Sequence, residues 1–142
     1  MIKQISVFIE NKKGRLAKIT DVLAEAGVDL IALSIADTTN FGIMRCIVSD
    51  PEKAITVLKQ NGFTASTTEV FVVEVSDEPG GLAGVLDLLD DADISVEYLY
   101  SFVRTPSKNA LILFRVEDIT SAISKLRENG VKLLEAGDVY SI

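Results

Sequence analysis

Two short stretches of this chain carry residue types that could hold a small charged molecule. They are Asn11-Lys12-Lys13-Gly14-Arg15-Leu16 and Asp77-Glu78-Pro79-Gly80-Gly81-Leu82. Each follows an alternating apolar run and precedes apolar residues at helical spacing, which predicts a strand-to-helix turn. Backbone N–H groups at the opening of a helix lack intrahelical partners and suit a carboxylate. The polar side chain heading each stretch, Asn11 or Asp77, suits an ammonium or an amide. The chemistry on offer is recognition of a zwitterion. Gly14 and Gly80 fit equally well as tight-turn glycines with no ligand role.

Bond-making chemistry has little to work with. The 142 residues include no histidine, which removes Ser-His-Asp and Cys-His catalysis and imidazole metal sites. The single cysteine, Cys46 between Arg45 and Ile47, offers no disulfide and no metal-ligand spacing, and reads as a small buried apolar residue. No cofactor or metal is expected, and the chain is not expected to be an enzyme. A net charge of −7 makes it a poor general ligand for nucleic acid or anionic membranes. No apolar run approaches the roughly 20 residues of a membrane span, and a strand-like segment begins almost at Met1, so a cytoplasmic chain is expected.

The elements around the two stretches are written twice. Gly14, Leu16, Ala17, Asp21, Leu23, Ala26 and Leu33 recur 66 residues later as Gly80, Leu82, Ala83, Asp87, Leu89, Ala92 and Leu99. Ala54, Ile55, Leu58, Asn61 and Gly62 recur 68 residues later as Ala122, Ile123, Leu126, Asn129 and Gly130, so the second copy holds two extra residues in between. Copies of 1–68 and 69–142 account for the whole sequence. The first holds eight Lys/Arg against seven Asp/Glu, the second six against fourteen. That division is either drift of solvated surfaces or unlike ends presented to one zwitterionic ligand.

In the first copy Lys3 to Glu10 alternates as a strand, and Leu16, Ile19, Leu23 and Ala26 mark a helix ended by Gly27. Two apolar runs, Val28 to Thr38 and Gly42 to Ser49, flank a turn at Thr39-Asn40-Phe41. Asp50-Pro51 opens a second helix through Ala54, Ile55 and Leu58, closed by Gly62, and Phe63 to Glu69 is a weaker strand. The second copy repeats this order, with hairpin strands at Ile94 to Arg104 and Asn109 to Val116 around the longer turn Thr105-Pro106-Ser107-Lys108. Asp118 caps its second helix, and Val131 to Ile142 is predicted as the last strand, with a break at Gly137. The class is α+β: two ferredoxin-like βαββαβ units in tandem, antiparallel sheets with helices on one face.

A sheet covered by helices on one side should be polar on the other. Here Val96, Tyr98, Tyr100 and Phe102 form one apolar row of the second copy, with Leu99 and Val103 opposite. Either a second chain covers the helix-free face, giving a homodimer, or the tyrosines shield it with their hydroxyls in water. Asp37 and Arg45 stand as a surface cross-strand pair or as ligand contacts. RNA-recognition modules of this topology need aromatic and basic central strands, and metal carriers need paired cysteines. Neither requirement is met.

The repeat order and the loop pattern together resemble the ACT domain, a small regulatory module usually specific for amino acids. The family pattern is a strand, Asn or Asp, two residues, Gly, one residue and Leu, then about ten helical residues to Gly-Val-Asn/Asp. Here it reads Asn11, Gly14, Leu16 and Gly27-Val28-Asp29, then Asp77, Gly80, Leu82 and Asp93-Ile94-Ser95, with Asp93 departing from glycine. The resemblance covers essentially the whole chain. Ala36-Asp37-Thr38, Phe41-Gly42-Ile43 and Glu97-Tyr98-Leu99-Tyr100 look like motifs of stand-alone tandem ACT proteins.

That resemblance implies ligand between ACT units, the loop of one facing the second strand of its neighbour. One implied site takes Asn11, Lys13, Gly14, Arg15 and Leu16 against Ser95 and Glu97. The other takes Asp77, Gly80, Gly81 and Leu82 against Asp29 and Ile31. The implied function is a non-catalytic sensor of a free amino acid or similar small metabolite. The alternatives are a regulatory subunit of an amino-acid biosynthetic enzyme, like the acetolactate synthase small subunit, and a ligand-free dimerisation module. A partner metabolic enzyme is an implied associate; nucleic acid and membrane are not.

Overall fold

Alternating burial along Ile2–Glu10 makes it a strand, β1, with Ile5, Val7 and Ile9 facing a core. The computed structural model describes residues 1–37 and 40–142; Thr38, the expected end of the first apolar run, and Thr39, the expected first residue of the hairpin turn, lie outside the described residues. After β1 come α1 (Arg15–Glu25), β2 (Leu30–Asp37), β3 (Phe41–Val48), α2 (Pro51–Gln60) and β4 (Thr64–Val75). The second copy continues with α3 (Gly81–Asp91), β5 (Val96–Ser101), β6 (Ala110–Val116), α4 (Ile119–Glu128), β7 (Lys132–Leu133) and α5 (Ala136–Tyr140). The strands predicted as Phe63 to Glu69 and from Phe71 onward are one unbroken strand, β4.

The chain divides into two compact units. The first is Lys3–Thr68 with Ser141; the second is Met1–Ile2 and Glu69–Tyr140 with Ile142. In the first, strand order is β2-β3-β1-β4, and β3 pairs antiparallel with both β1 and β2. Helices α1 and α2 pack side by side. Their Ile19, Val22, Leu23, Ala54 and Leu58 bury against Ile5, Val7, Ile9, Met44, Cys46 and Val48 of the sheet. In the second unit β4 pairs antiparallel with β6 and β7, and β5 with β6. Val85, Leu89, Ala122 and Leu126 of α3 and α4 cover Phe71, Val73, Phe114 and Val116. Phe71 and Phe114, paired across the strands, stack at 5.3 Å between ring centroids. Each unit thus has the ferredoxin-like order, with both helices on one face.

Asp50 and Asp118 close the N-termini of α2 and α4 by accepting from the N–H of Lys53 and Ser121. At the matching C-terminal positions of α1 and α3 the chain needs a left-handed residue. Gly27 supplies it at φ 72°, and Asp93 adopts it at φ 58° in the second copy. Aspartate is among the few side chains that tolerate this region, so losing the family glycine leaves the helix end intact.

Three expectations are corrected. The predicted last strand shrinks to two residues: the N–H groups of Asp138 and Val139 both donate to the Glu135 carbonyl and close the short helix α5 with Val139 buried. The row Val96, Tyr98, Tyr100, Phe102 is interrupted by a register shift between Val96 and Tyr98, and Val96 packs on the helix-covered core instead. Asp37 lies opposite Gly42 and Arg45 opposite Ser34. Positions 42 and 45 alternate to different faces, so Asp37 and Arg45 are no cross-strand pair.

Candidate ligand-binding site

The first strand-to-helix turn opens a groove of about 250 Å³ in the first unit. One wall is the end of β1 and the turn, Ile9 to Lys12; the second is Gly14, Leu16 and Ala17 at the start of α1; the third is Ile35, Asp37 and Gly42. Pairing brings these walls together, since Ile9 lies opposite Gly42 and Gly42 opposite Asp37. Leu16 and Ile35 keep 42% and 45% of their surface exposed, high for large aliphatic side chains and sufficient to line a groove.

Local bonds fix the turn. Gly14 is left-handed at φ 87°, the Arg15 N–H donates to the Lys12 carbonyl at 3.3 Å, and the Asn11 N–H donates to the Asn40 carbonyl at 3.3 Å. The Lys18 N–H returns to the Gly14 carbonyl at 3.0 Å. The N–H groups of Leu16 and Ala17 have no partner among the described residues, and both residues line the groove. The Lys12 ammonium lies 2.9 Å from the Glu10 carboxylate and holds Glu10 below the usual carboxylate range. Asp37 forms no ion pair among the described residues. Among the described residues, one side of the groove therefore offers N–H donors without a partner and the other a carboxylate without an ion pair.

Of the residues expected on the first side, Asn11, Gly14 and Leu16 line the groove. Lys13 is exposed and outside its lining. Arg15 turns away: its guanidinium stands 4.5 Å from the centroid of the Phe63 ring, and its Nε is buried without a hydrogen-bond partner. Among the strand residues expected opposite the loops, Ile31 is 1% exposed and Asp29 is exposed, its N–H accepted by the Ser49 hydroxyl at 2.9 Å. Ser95 is exposed. Glu97 stands at the β5 register shift, and its carboxylate lies 3.2 Å from Arg115 Nε.

The second turn is built differently. Gly80 is left-handed at φ 93°, and the Ser76 hydroxyl donates to the Glu78 carboxylate at 2.6 Å. A Cβ placed on Gly81 would overlap the Ser76 carbonyl oxygen. Asp77 and Gly80 are exposed, and Gly81 and Leu82 half-buried.

Sequence reasoning missed Ile35 and Gly42 as groove residues and left Asp37 open. The available signal was a glycine facing an acidic residue across a hairpin, which only the register makes visible.

Comparison with known proteins decides the family. A model described as an ACT domain pair matches residues 1–141. The chain belongs to the ACT domain pair family. This ACT pair is similar to protein BT0572 from Bacteroides thetaiotaomicron, with 42% identity and a TM-score of 0.92, over 99% of this chain and 96% of that one. It shares its fold with the regulatory subunit of aspartate kinase from Thermus thermophilus, with 17% identity and a TM-score of 0.64, over 90% and 92% of the two chains. The regulatory subunit of aspartate kinase from Thermus flavus has 17% identity and a TM-score of 0.58, over 89% and 90%. Among the described residues of this ACT pair, no helix is long and apolar enough to cross a membrane and no cluster of three or more metal-ligating side chains occurs.

Proposed function

We propose that this ACT pair is a non-catalytic sensor of a free amino acid. The observation that carries the reading is the groove at the first turn, which sets the unpaired N–H groups of Leu16 and Ala17 and the carboxylate of Asp37 around one small space. A ligand carboxylate would sit on the helix opening, a site favoured by free donors and by the helix dipole. Its α-ammonium would meet Asp37, with Asn11 as a further polar partner. Lys13 and Arg15, outside the groove lining, belong with Asp77, Gly80, Gly81 and Leu82, and with Asp29, Ile31, Ser95 and Glu97, to the wider set that the family pattern nominates. Binding regulates through a difference in affinity between two arrangements of the protein.

Catalysis has no support in the residues. Histidine is absent from the sequence, and the one thiol is buried, its pKa pushed up to about 12 by burial. A second reading has one specific support, the fold shared with a protein named as a regulatory subunit of aspartate kinase. On that reading the chain acts on a partner enzyme of amino-acid metabolism in the cytoplasm.

A thermal-shift screen of the full chain against each of the twenty protein amino acids tests the sensor reading. A ligand that binds only the folded state raises the midpoint by mass action. One amino acid should do so at millimolar concentration, and Asn11→Ala should weaken its effect. No shift with any of the twenty sinks the reading.

A further inference from the structure

The two copies share a pattern but differ at positions that line the first unit's groove. We infer that the amino-acid seat exists in the first unit alone, with Asp37 as the partner of the ligand's ammonium and Gly42 leaving room for the ligand's side chain. The inference rests on the sensor reading and deepens it, because it names the live copy and the two residues that make it live.

Gly42 is the first support. It lines the groove between Ile9 and Asp37, and a Cβ built there would come within 3.8 Å of the Ile35 side chain and 3.3 Å of the Ala36 carbonyl. A side chain at this position would occupy the space the groove encloses. In the second unit the matching place, opposite Val75 as Gly42 is opposite Ile9, is Ala110. There a methyl group fills what glycine leaves open.

Asp37 is the second support. The 66-residue offset of the repeat puts Val103 at its place, 71% exposed, and Ser101 at the place of Ile35. The second copy therefore has no carboxylate at the place of Asp37.

The loop itself is the third support. The Ser76 carbonyl oxygen presses on Gly81 so closely that only glycine fits, which draws the turn onto the opening of α3. In the first copy the same place is Arg15, whose side chain is accommodated against Phe63. Glu78 is held at the second turn by the Ser76 hydroxyl, and residues 69–103 hold nine acidic side chains and no lysine or arginine. An incoming carboxylate meets like charge there, whereas the first turn carries Lys12, Lys13 and Arg15.

The test is calorimetric titration of each of the twenty protein amino acids into the full chain and into Asp37→Asn, Gly42→Val and Ala110→Val variants. The expected result is one amino acid bound per chain. Asp37→Asn should raise its Kd at least about tenfold, since a charge-assisted bond is lost. Gly42→Val should remove binding, and Ala110→Val, which alters the matching place of the second unit, should leave Kd within about twofold. Asp37→Asn changes one strand-end side chain and decides the matter even if Gly42→Val fails to fold. Two ligands per chain, or a loss with Ala110→Val equal to that with Asp37→Asn, overturns the inference and leaves the sensor reading standing. Absence of binding by all twenty overturns both.

Discussion

Cys46 sits fully buried in the first unit's core, opposite Ile5 on β1 and Leu33 on β2. Removal from water disfavours the thiolate and raises the thiol from its ordinary 9.0 to about 12. The sign of the consequence follows from linkage. Between pH 9 and about 12 the unfolded chain releases this proton and the folded chain retains it, so the stability it contributes is complete below pH 9 and is lost as pH rises. Denaturant unfolding between pH 8 and 12 should therefore fall more steeply for the native protein than for Cys46→Ala. Parallel pH profiles would show that the thiol is not held out of water. The same burial makes the thiol inert, so labelling by a thiol reagent at pH 8 should track unfolding.

At the scale of elements, α3 contrasts two glycines in one helix. Gly81 at its first position meets the Ser76 carbonyl oxygen, whereas Gly84 one turn later has open space around it and an ordinary helical backbone. Gly81→Ala should therefore destabilise the protein by about 1–3 kcal/mol, as overpacking does. Gly84→Ala should stabilise it by about 0.4–1 kcal/mol through the unfolded chain. Denaturant midpoints of the two variants check the opposite signs, and a stabilised Gly81→Ala would mean that the second turn is not drawn onto its helix. Local signals made most elements legible. Aspartate caps, helix-ending glycines and alternating runs depend on neighbours within a few residues, and the order of α1 to α4 followed from them. What they missed needed distant partners. The extra residue at the β5 register shift is defined against Arg115 and Val116, and α5 forms because Val139 has a core to enter. The groove divides the same way: Asn11, Gly14 and Leu16 belong to a local motif, while Ile35, Asp37 and Gly42 join them only through strand register.

At the scale of the whole molecule, apolar surface argues for a second copy, though not by the route the sequence suggested. Of the residues expected to call for a partner chain, Val96 and Leu99 pack against the helix-covered core of the second unit and Phe102 is buried. Exposed large apolar side chains include two on β2, the outermost strand of the first unit, where Leu33 and Ile35 are 41% and 45% exposed. In the second unit the counterpart of Leu33, Leu99, packs against the core. An outer strand with unpaired backbone groups and apolar side chains is a template for another strand, and proteins that remain monomeric commonly guard such edges with charge. Here Asp37 is the only charged residue of the strand, at its last position. We therefore expect a homodimer joined along β2, and light scattering after size exclusion should give twice the 15.4 kDa chain mass. Leu33→Lys places a charge on that edge without touching the groove, so it should yield a folded monomer. A native protein that stays monomeric at high concentration, or a Leu33→Lys variant that remains dimeric, would exclude β2 as the joint.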